Sequence, residues 1–308
     1  MSELCDCGGT LRTLGTSSCP VQIGRDYKWI FMPTYKADGT VYELDLSSSP
    51  TLNAAYFAAL VAQGAAVQWN VSPVVMNSDA ERADDKTETF NNDTEMEFVQ
   101  QGMKTVKGIW AKLPANLANT IKGWNCSSVS CFIITDTGQL LGLKGSAWKI
   151  MRPIKIQSGS FVSKFVQQNN VTIGVQKAMV QFNWDASECD SNLITIEPSS
   201  FASGYDIKSL NGLIQVDFIA HLANTATTVK VAANTNQGGL LNPVLVTGLV
   251  DTDFTVTNRT TGAAVTITGC TEISGKYVIT YTSQTGNLLR LSCTKTGYQF
   301  ANYDYTSN

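Results

Sequence analysis

At 308 residues, with a net charge of −3 and 15% charged residues, the chain is neither a disordered polymer nor a strongly basic binder of nucleic acid. Its 43% hydrophobic content suits about two folded domains, and the low charge leaves room for large surfaces that need not face water. The start, Met1-Ser-Glu-Leu-Cys-Asp-Cys7, lacks the basic and apolar regions of a signal peptide, and the most apolar run, Leu52 to Val67, is interrupted by Asn53, Gln63 and Gly64, so a protein made in the cytosol with no membrane partner is expected.

Residues 1–24 are rich in Gly, Ser, Thr and Cys and read as an N-terminal arm. Tyr27–Met32 is a strand by its aromatic and β-branched content. A turn at Lys36-Ala-Asp-Gly39 leads to an alternating partner strand, Thr40–Leu46. The spacing of Leu52, Tyr56 and Leu60 predicts a helix over 50–63, capped by Ser49, with Pro50 in its first turn and Gly64 past its end. Ala66–Met76 returns to strand, with Pro73 marking an edge or a bulge.

Residues 77–94 form an acidic stretch that predicts an assembly loop. Asp79, Glu81, Arg82, Asp84, Asp85, Lys86 and Glu88 are its candidate inter-subunit residues. Connections inside compact domains have a median of about 4–6 residues, and far longer ones are usually functional or disordered. A strand pair near 94–101 and 103–112 follows, then a short helix over Pro114–Lys122. Val129–Thr135 and Gln139–Leu143 make a hairpin about Gly138. Trp148–Ile156 is a strand, and 161–168 with 171–184 form a long hairpin about Asn169-Asn170, with a bulge near Gln176-Lys177. Leu193–Ile196 is a short strand, Asp206–Leu210 one helical turn, and Gly212–Ala223 a strand that closes the domain at residue 224. From 225 to 308 the chain is rich in Thr, Val and Gly, with about six or seven short strands and frequent turns, as in an immunoglobulin-like sandwich. The fold class expected is mainly β: a sandwich or barrel domain with one or two flanking helices, then the Ig-like domain.

Catalysis finds little to use. His221 is the only histidine and reads as structural or surface. Gly269–Tyr277 superficially resembles a phosphate loop but has one residue too many and Tyr where Ser or Thr is needed. Asp84-Asp85 are interleaved with Arg82 and Lys86 and lack a histidine, so they read as a charged inter-subunit segment rather than a metal or acid–base pair. The eight cysteines are expected to be reduced. Cys5, Cys7 and Cys19 would be the candidates for a zinc site, but paired knuckles are missing, and no metal and no cofactor is expected. The six tryptophans are scattered singly and read as core packing.

The order of these parts resembles phage tail tube proteins. The resemblance lies in the acidic arm before Glu95-Met-Glu-Phe-Val-Gln-Gln-Gly-Met103, and in the helix Pro114–Lys122 followed by Val129–Gly142. It continues in Met151-Arg-Pro-Ile-Lys155 leading to the hairpin 161–184, and in the C-terminal Gly275-Lys-Tyr-Val-Ile-Thr-Tyr281 and Thr294-Lys-Thr-Gly-Tyr298, similar to Ig-like domains of phage structural proteins. The resemblance implies a virion tail subunit, not an enzyme. Copies would join in a ring, a hexamer in most such proteins, and the rings would stack into a tube through which DNA passes transiently. Its partners would be itself and other tail and neck proteins. A lumen that lets DNA slide should be acidic or neutral, because basic side chains hold phosphate. Glu95, Glu97, Gln167, Thr172 and Gln176 are the lumen-facing candidates, while Lys104, Lys107, Lys164 and Lys177 lie in the same hairpins. The alternatives are another phage structural part (head decoration, connector or baseplate) or a surface- or carbohydrate-binding module using Tyr298, Phe300 and Tyr303.

Overall fold

Val129–Thr135 has no exposed position, which marks a strand covered on both faces, and the first unit is built around it. The structure, a computed structural model, describes residues 23–63, 68–90, 95–100, 102–111, 121, 123–166, 177–235 and 244–308. The chain is mainly β and divides into two compact units, Met1–Gly212 and Leu213–Asn308.

In the first unit the strands are β1 (Asp26–Pro33), β2 (Leu44–Asp45), β3 (Asn70–Val71), β4 (Val75–Arg82), β5 (Lys86–Phe90), β6 (Glu95–Gln100), β7 (Lys104–Ala111), β8 (Val129–Thr135), β9 (Leu140–Lys144), β10 (Ile150–Arg152), β11 (Ile154–Lys155), β12 (Val162–Val166), β13 (Lys177–Asn183) and β14 (Leu193–Ile196). One sheet runs β2-β10-β9-β8-β1-β3, with β11 on β8 and β14 on β9; a second, four-stranded sheet runs β12-β13-β7-β4; β5 and β6 form a separate two-stranded ribbon. The two larger sheets share one core. Trp29 and Phe31 of β1 meet Phe182 of β13 at 5.1 and 5.7 Å between ring centroids, and Trp110 of β7 at 5.7 and 6.4 Å. Gly108 lets Trp29 in, because a Cβ there would stand 2.5 Å from both its ring and Val75. On the other face of the larger sheet, Phe132 packs against Trp69, and Trp69 against Phe57 of helix α1 (Ala54–Val61).

Several expectations change. Asn53, not Ser49, caps α1, accepting from the Tyr56 amide at 2.9 Å, and the buried face is Phe57, Leu60 and Val61. Thr40–Leu46 does not pair along β1, whose neighbours are β8 and β3; only Leu44–Asp45 is strand, against β10. Pro73 separates β3 from β4, which lie in different sheets. Pro153 likewise splits Trp148–Ile156 into β10 and β11, on different neighbours, because proline cannot donate to a ladder. Trp148 is 85% exposed, while Trp29, Trp69, Trp110 and Trp184 are buried. Cys189 is disulfide-bonded and not the reduced thiol expected. The helix 114–122 falls outside them too, apart from Ile121, which is buried in the core.

One ion pair ties the segment after β13 to the larger sheet. Arg152 donates from Nη1 and Nη2 to the two carboxylate oxygens of Glu188, both at 2.7 Å, and Glu188 is 2% exposed. Removing Glu188 leaves Arg152, whose side chain is 26% exposed and keeps contact with water, so the cost is that of lost charged hydrogen bonds, about 1.5–3 kcal/mol. Glu188→Ala is therefore expected to lower unfolding free energy on that order, measured by denaturant titration of the first unit's tryptophan fluorescence.

The second unit contains β15 (Ile214–Ala220), β16 (Thr228–Asn234), β17 (Phe254–Asn258), β18 (Ala264–Val265), β19 (Ile267–Ile273), β20 (Lys276–Tyr281), β21 (Leu288–Cys293), β22 (Tyr298–Phe300) and β23 (Tyr303–Thr306). The sheets β19-β20-β16-β15-β22 and β18-β17-β21-β23 have the immunoglobulin order, with the first strand also running parallel to the chain's last stretch through β22. Tyr277 pins the 246–249 crossover: its hydroxyl donates to Val246 O at 2.9 Å and accepts from Leu249 N. The strand expected to close the first domain at 224 is β15, and it belongs here. Its ladder is with β16 and β22, and Val216 and Phe218 fill this core, so the boundary moves to Gly212.

Candidate assembly surface

The acidic stretch is a β-ribbon and not a loop. Lys86-Thr-Glu-Thr-Phe90 and Glu95-Met-Glu-Phe-Val-Gln100 both alternate and carry Thr, Phe and Val, residues that favour strands. They pair antiparallel, with Thr89 opposite Met96 and Phe90 opposite Glu95. The ribbon continues the β4–β7 pair, whose last rung is Arg82 opposite Lys104. Residues 94–112 are thus not a hairpin with itself: β6 pairs with β5, and β7 with β4 and β13.

A narrow neck joins ribbon and body. Ala83 N donates to Met103 O at 3.0 Å, and Gly102 N donates to Asp85 Oδ1 at 2.8 Å. The two strands come so close that a Cβ on Gly102 would lie 1.7 Å from Ala83 O. Arg82 Nη1 donates to Gly102 O at 2.7 Å and its Nε to Asp190 Oδ2 at 3.0 Å. Lys104 Nζ donates to the other Asp190 oxygen at 2.9 Å and lies 4.1 Å from the centre of the Trp184 ring. One carboxylate therefore grips both strands of the arm at its root.

Partial burial works to raise the Asp190 pKa, but the hydrogen bonds from Arg82 and Lys104 outweigh it and hold the group below the ordinary 3.8. A carboxylate with a depressed folded pKa gives stability that is fully present above its unfolded value and is lost as pH falls through the folded one. The grip is expected to hold at neutral pH and to weaken only below 3.8, as Asp190 protonates. The check is an NMR titration following the Ala83 amide, which donates to Met103 O across the neck. Asp190→Asn should remove the acid-dependent change in that shift.

The candidate inter-subunit residues divide along this arm. Asp79, Glu81 and Arg82 lie on β4, Asp84 and Asp85 at the neck, and Lys86 and Glu88 on β5. Of the lumen candidates, Glu95 and Glu97 are on β6, in register with Phe90 and Glu88, and so in a different sheet from the 161–184 hairpin. Gln167, Thr172 and Gln176 lie outside the described residues, as do the Asn169-Asn170 turn and the first part of the expected Gln176-Lys177 bulge.

The body's four-stranded sheet is open. Among the described residues β4 and β12 have a neighbour on one side only. Its outward face carries the rows Val162–Gln181–Lys107–Asp79 and Lys164–Met179–Ile109–Met76, with Met76, Met179 and Val162 exposed. A bulge at Asn77-Ser78, with Asn77 at φ 53°, breaks the β4 ladder and confines its regular edge to Asp79–Arg82.

Other candidates do not converge. Among the described residues no group of three or more His, Cys, Asp or Glu side chains is arranged to hold a metal, and no helix is long and apolar enough to cross a membrane. Cys5, Cys7 and Cys19 lie outside the described residues. Tyr298 and Phe300 pack against the second unit's core, and Tyr303 stacks on Tyr305 at 5.7 Å. Asp190, Gly102 and Trp184 were not singled out from the sequence. Asp190 is 108 residues from Arg82 and 86 from Lys104, so only the fold brings them together. No protein-family model matches the chain and no curated protein matches it.

Proposed function

We propose that the chain is a structural virion subunit that assembles with copies of itself into stacked rings, forming a tail tube through which phage DNA passes. The observation that carries this reading is the four-stranded sheet whose two edges are unpaired among the described residues, with a ribbon growing from it. Open edges invite aggregation unless they are paired, covered or twisted away, and closing sheets into a barrel across subunits removes them. In this reading the sheets of neighbouring copies, six in a ring, merge around a lumen, and the ribbon reaches the next ring. The Ig-like unit decorates the outside, and other tail and neck proteins cap the tube. The outward sheet face mixes Asp79 and Glu81 with Lys107 and Lys164, so its lining would be mixed rather than purely acidic. DNA would pass it by weak, transient contact. A carbohydrate-binding module is less well supported, because its aromatic candidates are engaged in packing.

The test replaces residues 83–103 by a short turn joining Arg82 to Lys104, keeping the body's sheet. In sedimentation velocity the full chain should form large assemblies as concentration rises, while the variant should stop at single subunits or isolated rings. A variant that forms the same assemblies as the full chain would remove the ribbon from the reading.

A further inference from the structure

The two free edges of the four-stranded sheet differ in charge. The regular edge of β4 exposes Asp79 and Glu81, and β12 exposes Lys164. Among the described residues Asp79, Glu81 and Lys164 make no ion pair within the subunit. All three belong to the outward face, as the rows linking Asp79 to Lys107 and Lys164 to Met179 require.

Strand direction adds a second constraint. Each neighbouring pair in β12-β13-β7-β4 is antiparallel, so with four strands the two edges run in opposite directions. A copy placed beside the first by rotation about an axis along the strands brings its β12 antiparallel to the first copy's β4, and the ladder continues without a break. A two-fold arrangement could also pair β4 with β4 or β12 with β12 in antiparallel fashion. The first sets Asp79 and Glu81 against their own copies, and the second sets Lys164 against Lys164. Like charges directly opposite are destabilising, and such repulsion selects among otherwise similar partners.

We infer that a second copy of this chain is the occupant of each edge, with β4 of one copy pairing head-to-tail with β12 of the next and Lys164 facing Asp79 and Glu81. This rests on the self-assembly reading and specifies its seam. Because side chains alternate with period two, any register that keeps the outward faces together sets Lys164 near one or other carboxylate. Head-to-tail contacts generate a ring when the rotation closes and a filament when it does not. The bulge at Asn77-Ser78 limits the seam to Asp79–Arg82, so its two outward positions are the carboxylates Asp79 and Glu81.

The test measures the assembly threshold of the full chain by light scattering, alongside Lys164→Glu and the triple variant Lys164→Glu, Asp79→Lys, Glu81→Lys. Thermal melting checks that each variant folds as the wild type does. Turning one attraction into a repulsion should raise the threshold roughly tenfold for Lys164→Glu, and the triple variant should recover the wild-type threshold. Folded Lys164→Glu assembling at the wild-type threshold, or a folded triple variant that does not recover, overturns the seam while leaving self-assembly standing. A wild-type chain that never assembles overturns both.

Discussion

Gly102→Ala should leave the first unit folded while releasing the ribbon from its neck. A methyl group would stand 1.7 Å from Ala83 O, and backbone cannot yield as a flexible side-chain tip does. The neck must open by more than an ångström, which breaks the Ala83–Met103 and Gly102–Asp85 bonds. The Asp190 grip on Arg82 and Lys104 then loses its geometry. The sandwich core lies elsewhere, built on Trp29, Phe31, Trp110 and Phe182, so global stability should fall by no more than about 1–3 kcal/mol, the usual range for overpacking. Local opening should rise much more. Limited trypsin digestion reads this directly, because Lys86 sits on the ribbon and exposed, unpaired backbone is cut first. Cleavage at Lys86 should accelerate strongly while cuts within the body stay slow, and assembly should be lost. Unchanged cleavage at Lys86 would mean that the neck tolerates a side chain and that its close approach does not hold the arm.

Trp29→Ala should strongly destabilise the first unit and leave the stability of the second unchanged. Trp29 is fully buried, contacts Phe31, Trp110 and Phe182, and donates from Nε1 to Asp26 Oδ2 at 2.8 Å. Truncating a buried tryptophan costs about 3–5 kcal/mol, a large fraction of the about 5–15 kcal/mol that a domain has. The loss is compounded at Asp26. Burial already raises its pKa, and the Trp29 hydrogen bond, followed by the Lys104 charge, opposes that rise, so the substitution leaves a buried carboxylate with less support. Core Val229, Val231, Leu289 and Leu291 belong to the other unit. Scanning calorimetry should therefore show one transition moving down sharply and another unmoved. A common shift of both transitions would mean that the two units unfold as one.

How much of this was legible in the sequence depends on how local its cause is. Strand β8 and its hairpin to β9 could be read because their apolar run and Gly138, at φ 82°, are local signals. Strands β17, β18, β20 and β21 were legible for the same reason, as turns at Gly262, Gly275 and Gly286 punctuate short alternating runs. By contrast, β16 and β23 carry no such local signal and bring the described strands of this unit to nine, above the six or seven expected. Other elements needed tertiary information. The Thr40–Leu46 alternation does reflect burial of Tyr42 and Leu44, but nothing local says that the segment crosses to β10 instead of returning along β1. The domain boundary was misplaced because β15 reads as a good strand in either unit; only its partners β16 and β22 decide. In the acidic stretch, the alternation in Lys86–Phe90 was a usable sign of a strand that charge content obscured. The grip by Asp190 had no local sign at all.

Negative-stain electron microscopy of the purified full chain across a rising concentration series is the measurement that decides whether this is a self-assembling tube subunit. Rings and hollow cylinders of uniform width, built by open sheets closing on one another, are expected. A monodisperse field of single subunits at every concentration would contradict the proposal.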